Sequence, residues 1–209
     1  MKKQKPCKCT IFISVTLLLM VVTGCIQVTG TDSLGPSLQD KKSFANKKIA
    51  ILPVKTQAQL STDTILPLRN KINKELYVIF KQKLPSSSYV LDTGNCVNLL
   101  NRKGKLDVLD ELYLTYEHTG VFDKRQIDKL ASILKANYLV FPNLKAEKMD
   151  IIISKAQGTS LQVLMVNSKT SEIVWGGIGE HKKGGIFGLG GVDSDVVANE
   201  LTRLALQDF

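Results

Sequence analysis

The chain has 209 residues, of which 44% are hydrophobic and 22% charged, and it carries a formal charge of +9. That length and apolar content build one modest core or at most two small ones, and six prolines with fifteen glycines are too few for a disordered or fibrous chain. Four cysteines do not make a disulfide scaffold.

Lys2, Lys3, Lys5 and Lys8 precede an uncharged run of 14 residues from Thr10 to Thr23, rich in Ile, Val, Leu and Met. The run is short for a membrane-spanning helix and right for the apolar part of a signal peptide. It closes on Val22-Thr23-Gly24-Cys25, which resembles the lipobox of bacterial lipoproteins. A small residue before the cut lets a peptidase reach the backbone, and the Cys25 thiol is the nucleophile that takes a diacylglycerol. The resemblance implies a signal peptide over 1–24, a lipidated tether over 25–46 and a bilayer held through Cys25, with no cofactor beyond the acyl groups. Two or three acyl chains anchor firmly, at about 0.8 kcal/mol per buried CH2. Processing would leave 185 residues (209 less 24), 24 basic against 19 acidic side chains, and a charge of +5. Cys7 and Cys9 would leave with the signal, so their C-x-C spacing is not read as a metal or redox site, and Cys96 would keep the one free thiol. Ile26 after the cysteine implies the outer membrane, facing the periplasm, in a host with two membranes.

Lys48 to Val54 reads as a strand buried on both faces, with Pro53 near its end. From Thr64 to Leu84 the apolar residues Ile65, Leu68, Ile72, Leu76 and Phe80 recur at helical spacing, with Pro67 in the first turn. Tyr89-Val90-Leu91 is a short strand. Cys96 to Leu100 suits a short helix with Cys96 turned inward. Leu106, Leu109, Tyr113 and Tyr116 mark another helical face, ended by Thr119-Gly120. Asp123 is placed to cap the next helix, with Gln126 reaching back and Phe122 and Ile127 at staple spacing. Tyr138 to Phe141 is a strand, and Pro142 predicts an edge or a bulge there. Ile151 to Ile153 is a short apolar run. Leu161, Val163 and Met165 alternate, Asn167 to Ser171 turns, and Glu172 to Gly176 returns as the partner strand. A last helix from Ser194 to Leu206 presents Val197, Leu201 and Leu204. The order β-α-β-α-α-β-β-β-α predicts a single-domain α/β sandwich over 47–206, with a mixed, partly antiparallel sheet.

Sites of chemistry are scarce. His118 and His181 lie at no metal spacing with each other or with Cys96, so no metal site and no catalytic residue is assigned. A triad of Cys96, His118 and an acid would need the fold to unite them; the simpler reading is a buried thiol and a histidine at a helix end. Asp107, Asp110 and Glu111 read as carboxylates on a solvated helix surface. Eight of the fifteen glycines lie between Gly176 and Gly191, without the Lys-Ser/Thr of a phosphate-binding loop. Ile186, Phe187 and Leu189 inside the glycine-rich loop 184–191 either pack back on the domain or meet a subunit, a partner or the bilayer; they are the candidate contact loop. Lys41, Lys42, Lys47 and Lys48, and Lys182 with Lys183, form basic patches suited to solubility or anionic headgroups. Without interleaved aromatics they do not read as nucleic-acid contacts.

Three passages resemble a group of bacterial envelope lipoproteins that includes the curli secretion channel lipoprotein and the outer-membrane activator of penicillin-binding proteins. Thr119 to Asp123 with Leu130 to Val140 is similar to their "T-G, helix, L-G-A-D-Y" passage. Leu164 to Trp175 is similar to their "V-D-x-x-T-G-E-V-x-W" hairpin, and Ile49 to Pro53 to their opening strand. Lys135, Asn137 and Ser171 stand where that pattern has Gly, Asp and Gly. The resemblance implies an α/β sandwich and carries no catalytic residue. It implies a non-enzymatic lipoprotein that assists envelope assembly or peptidoglycan synthesis through an envelope protein partner. The alternative it leaves open is a homo-oligomeric subunit of an outer-membrane secretion or export assembly.

Overall fold

The computed structural model describes residues 41–58, 62–151, 154–183 and 194–209. Cys25 with Val22, Thr23 and Gly24, and the contact loop of Ile186, Phe187 and Leu189, lie outside the described residues.

A 3-10 turn (Lys41–Phe44) leads into β1 (Lys48–Ile51) and β2 (Lys55–Ala58). Then follow α1 (Thr62–Lys83), β3 (Tyr89–Leu91), α2 (Thr93–Arg102), α3 (Leu106–Thr119) and α4 (Lys124–Leu134). The chain ends on β4 (Tyr138–Ile151), β5 (Ser154–Asn167), β6 (Ile173–Lys183) and α5 (Ser194–Ala205). The sheet order is β3-β1-β4-β5-β6, with β2 also on β4. β1 runs parallel to β3 and β4, and the β4-β5 and β5-β6 pairs are antiparallel. The fold is therefore a single α/β domain with a mixed, partly antiparallel sheet, as the element order predicts.

Alternation along each strand makes two cores. Ile49, Ile51, Val140, Leu144, Leu161, Val163, Met165 and Trp175 point to the layer of α1 and α5. Ala50, Leu52, Leu139, Phe141, Leu164 and Val166 point to the layer of α2, α3 and α4. A strand covered on both faces reads as continuous apolar residues, which is why Ile49, Ala50 and Ile51 are all fully buried. Phe209 closes the first core, its ring 4.6 Å from Phe80 and 4.9 Å from Trp175. Trp175 is core, at 2% exposure.

Two expectations about proline need correction. The first strand is interrupted: β1 stops at Ile51, and β2 resumes at Lys55 against Asn143. Pro142 is not at an edge, since β4 is a central strand 14 residues long, but it does mark a bulge, as expected: Ile51 pairs with Val140 and Lys55 with Asn143, so three residues between β1 and β2 face only Phe141 and Pro142. The two prolines explain each other. Val140 turns its carbonyl to Leu52 N, so two residues on, the missing N–H of Pro142 faces the gap between β1 and β2. α1 begins at Thr62, so Pro67 falls in its second turn rather than its first.

The helix ends follow local chemistry. Asp123 caps α4, its Oδ1 accepting from Arg125 N and Gln126 N; Gln126 does not reach back but points its Nε2 to Glu111, 3.4 Å away. Phe122 and Ile127 are both buried in one core, as the staple spacing predicts. The short helix around Cys96 is longer than expected, because Asp92 caps it by accepting from Asn95 N. Gly120 ends α3 at φ 70°. Lys135 and Ser171 also adopt left-handed φ, 52° and 62°. These are the two positions where the resembled lipoproteins carry glycine.

Candidate functional site

The structure does not bring Cys96 and His118 together. Cys96 sits on α2, fully buried, its Sγ 4.0 Å from the Leu91 carbonyl. Burial pushes its thiol up to about 12, and the Asp92 carboxylate adds to the rise. A nucleophile works as the thiolate, so this sulfur is held in its inert form. His118 is exposed in the last turn of α3. Among the described residues no group of three His, Cys, Asp or Glu is placed to hold a metal ion.

The gap between β1 and β2 gathers polar groups. Leu52 N donates to the Val140 carbonyl, and Val54 N to Asn73 Oδ1 on α1. The Tyr113 hydroxyl from α3 lies 3.2 Å from both the Pro53 and the Pro142 carbonyl, its single hydrogen shared between them. Leu52 N thus continues the β1–β4 ladder, while Val54 N and the two proline carbonyls are paired away from it. Burial raises the Tyr113 phenol far above its ordinary range, with Asp110 and Glu117 adding to it. At the surface over this gap lies a shallow depression lined by Lys55, Arg69, Asp110 and Tyr113 among others. Lys55 reaches Asp110 at 3.3 Å. Both charges are partly solvated, and the geometry describes a structural joint rather than an enclosed cleft.

His181 is the second buried ionisable group. It lies 5% exposed between β6 and α5, with Nδ1 3.0 Å from Glu200 Oε2. Its Nε2 is buried with no hydrogen-bond partner. This pairing has no signature in the sequence, because Glu200 arrives from the following helix. The approach of that helix depends on Gly177 and Gly179, which share the sheet face of His181. A Cβ on Gly177 would lie 2.0 Å from the Ala205 carbonyl oxygen, and one on Gly179 2.3 Å from that of Leu201.

The amino-terminal basic patch is partly structural. Lys41 donates to the Phe209 carbonyl and Lys83 to the Leu206 carbonyl, each at 2.6 Å, and Lys48 lies 5.2 Å from the Tyr89 ring centre. Lys42 and Lys47 are exposed.

Charged side chains are exposed over much of the surface, Lys124, Arg125 and Lys129 on α4 among them, and two helix faces carry exposed charge of one sign. On α3, Asp107, Asp110, Glu111, Leu114, Glu117 and His118 are all exposed, at spacings that put them on one stripe. On α1, Asn70, Lys74, Val78 and Lys81 make a stripe of the opposite sign. Leu114 is 50% exposed and Val78 38%. The two helices lie on opposite faces of the sheet.

No family model matches the chain, and neither does any curated protein. Solved structures do. The lipoprotein GNA1162 from Neisseria meningitidis is 12% identical, over 72% of this chain and 90% of that one, with a TM-score of 0.48. A PelC dodecamer from Paraburkholderia phytofirmans is 11% identical over 87% and 97%, with a TM-score of 0.44. The LpoB C-terminal domain from Salmonella enterica is 14% identical over 68% and 87%, with a TM-score of 0.37. At these identities and TM-scores no role, family or residue assignment crosses from them to this chain.

Proposed function

We propose that the chain is a lipid-anchored, non-enzymatic protein of the cell envelope that assists envelope assembly or peptidoglycan synthesis by contacting another protein. The observation that carries this reading is the Val22-Thr23-Gly24-Cys25 box behind a 14-residue uncharged run. The domain that follows is consistent with it: the Cys96 thiol is packed in the core, the Tyr113 hydroxyl is shared between two backbone carbonyls, and His181 faces Glu200 on α5. No helix among the described residues is long and apolar enough to cross a membrane; the attachment proposed here is through acyl chains on Cys25.

Two measurements test it. Labelled palmitate supplied to cells should enter the protein and fail to enter a Cys25→Ser variant, which should also leave the membrane fraction. An unmodified thiol at Cys25, with residues 1–24 still attached, would overturn the anchor and the location with it. Crosslinking in intact cells should then capture an envelope protein on the domain. A second reading, a subunit of an oligomeric outer-membrane export assembly, is favoured by one specific feature, the opposite charge of the α1 and α3 faces.

A further inference from the structure

We infer that the outward face of α1 on one copy of this chain docks on the outward face of α3 on the next. The inference rests on the reading that the domain works through protein contacts, and it names the partner as a second copy. The two faces are built to the same measure. Val78 has Lys74 four residues before it and Lys81 three residues after it; Leu114 has Glu111 three residues before it and Glu117 three after. At about 1.5 Å rise per residue, each exposed apolar side chain is flanked on both sides, about one turn away, by exposed charge of one sign; Glu75, three residues before Val78, is half-buried and faces Lys71. Setting Val78 against Leu114 brings both lysines over both carboxylates.

The sign pattern selects the type of contact. A two-fold contact of α3 with itself would set Asp107, Glu111 and Glu117 against their own copies (Asp110 being paired with Lys55), and one of α1 with itself would oppose Lys74 and Lys81. Both are repulsive. The contact is therefore heterologous, and because α1 and α3 cover opposite faces of the sheet, each copy keeps one face free for the next. Such a contact propagates to a ring or a filament. One helix pair buries less than a standard interface, so assembly is concentration-dependent.

The test uses the full-length protein in detergent, followed by analytical ultracentrifugation. The unaltered protein should sediment as a multiple of its protomer mass, measured by mass spectrometry on the same lipidated material. Lys74→Glu with Lys81→Glu, and separately Glu111→Lys with Glu117→Lys, should each weaken self-association by on the order of tenfold per reversed pair. Both should leave the circular dichroism and the urea midpoint close to those of the parent, since all four positions are solvent-facing. Mixing the two variants should restore assembly, because each then offers the face the other lacks. An unaltered chain that is monomeric up to high micromolar concentration would overturn the inference, as would variants that still assemble alone or a mixture that stays dissociated. A monomer that still yields a crosslink to a different envelope protein would refute this partner and leave the protein-contact reading standing. A monomer with no crosslink would remove both.

Discussion

Replacing Gly177 by Ala puts a methyl carbon 2.0 Å from the Ala205 carbonyl oxygen and 3.1 Å from Trp175 Cζ2. Ordinary contact begins near 3.4 Å, so α5 would have to withdraw by about 1.4 Å. Backbone is what blocks the methyl, and no rotamer change relieves it. Withdrawal opens the layer in which Ala198, Leu201 and Ala205 lie fully or almost fully buried, and a gap of 0.5–1 Å already forfeits a quarter to a half of each contact. Overpacking of this kind costs about 3 kcal/mol. With a urea m-value of ~2 kcal/mol/M, the midpoint should fall by about 1.5 M. Gly179→Ala, 2.3 Å from the Leu201 oxygen, should cost a similar amount. The double variant should cost less than the sum, since a single retreat of α5 accommodates both methyls. Gly94→Ala is the control: its methyl meets only Asp92 Oδ1, at 3.3 Å, and it lies in a helix where alanine is preferred. A midpoint shift under about 0.3 M for Gly177→Ala would refute the account of why this strand is glycine-rich.

Ser171→Gly and Lys135→Gly should each stabilise the domain by about 1 kcal/mol, because both sites hold left-handed φ that costs an L side chain about that much; a lowered thermal midpoint would contradict it. Tyr113→Phe should cost roughly 1–3 kcal/mol in urea unfolding, since it strands the Pro53 and Pro142 carbonyls in the gap beside β4, and an unchanged midpoint would show those carbonyls to be solvated. Stability should fall as pH rises through the alkaline range. Cys96 is held neutral in the fold up to about 12 against 9.0 for the free thiol, so its contribution is complete below pH 9 and is lost between those values as the unfolded chain alone releases the proton. The slope of urea midpoint against pH between 9 and 11 should flatten in Cys96→Ala, and an identical slope would place the effect elsewhere.

The cores were legible where one periodicity ruled a whole element. Ile72, Leu76 and Phe80 on α1, Ile127, Leu130 and Leu134 on α4, and Leu161, Val163 and Met165 on β5 are all buried as their spacing predicts. The interruption at Pro53 was not legible, because a strand can break and resume along the same neighbour only when that neighbour tolerates it. Pro142, 89 positions later, supplies the tolerance and Tyr113 the hydrogen bond. Read alone, each proline argues for the end, the edge or a bulge of a strand; in the sheet they share one irregularity, the slip by one residue between the pair Ile51 with Val140 and the pair Lys55 with Asn143. The full extent of β4 was missed for a related reason. Asn143 to Ile151 pairs with β5 through Ser154, but the polar residues among them carry little strand signal of their own.

The glycines after Trp175 look like one feature along the sequence and are at least two in the fold. Gly177 and Gly179 belong to β6 and exist for the close approach of α5, whereas Gly184 to Gly191 falls outside the described residues. Alternation would have separated them, since 175, 177, 179 and 181 share one face and only glycine occupies the middle two places. The charged helix faces were hidden differently. Asp107, Asp110 and Glu111 read as ordinary solvated carboxylates, and so they are, taken singly. What the sequence could not supply is that α1, of opposite sign and matching spacing, covers the other side of the sheet. A surface charge acquires a partner only through the relative placement of elements, and here that placement sets the two stripes back to back, where they cannot neutralise each other within one copy and can do so only between copies.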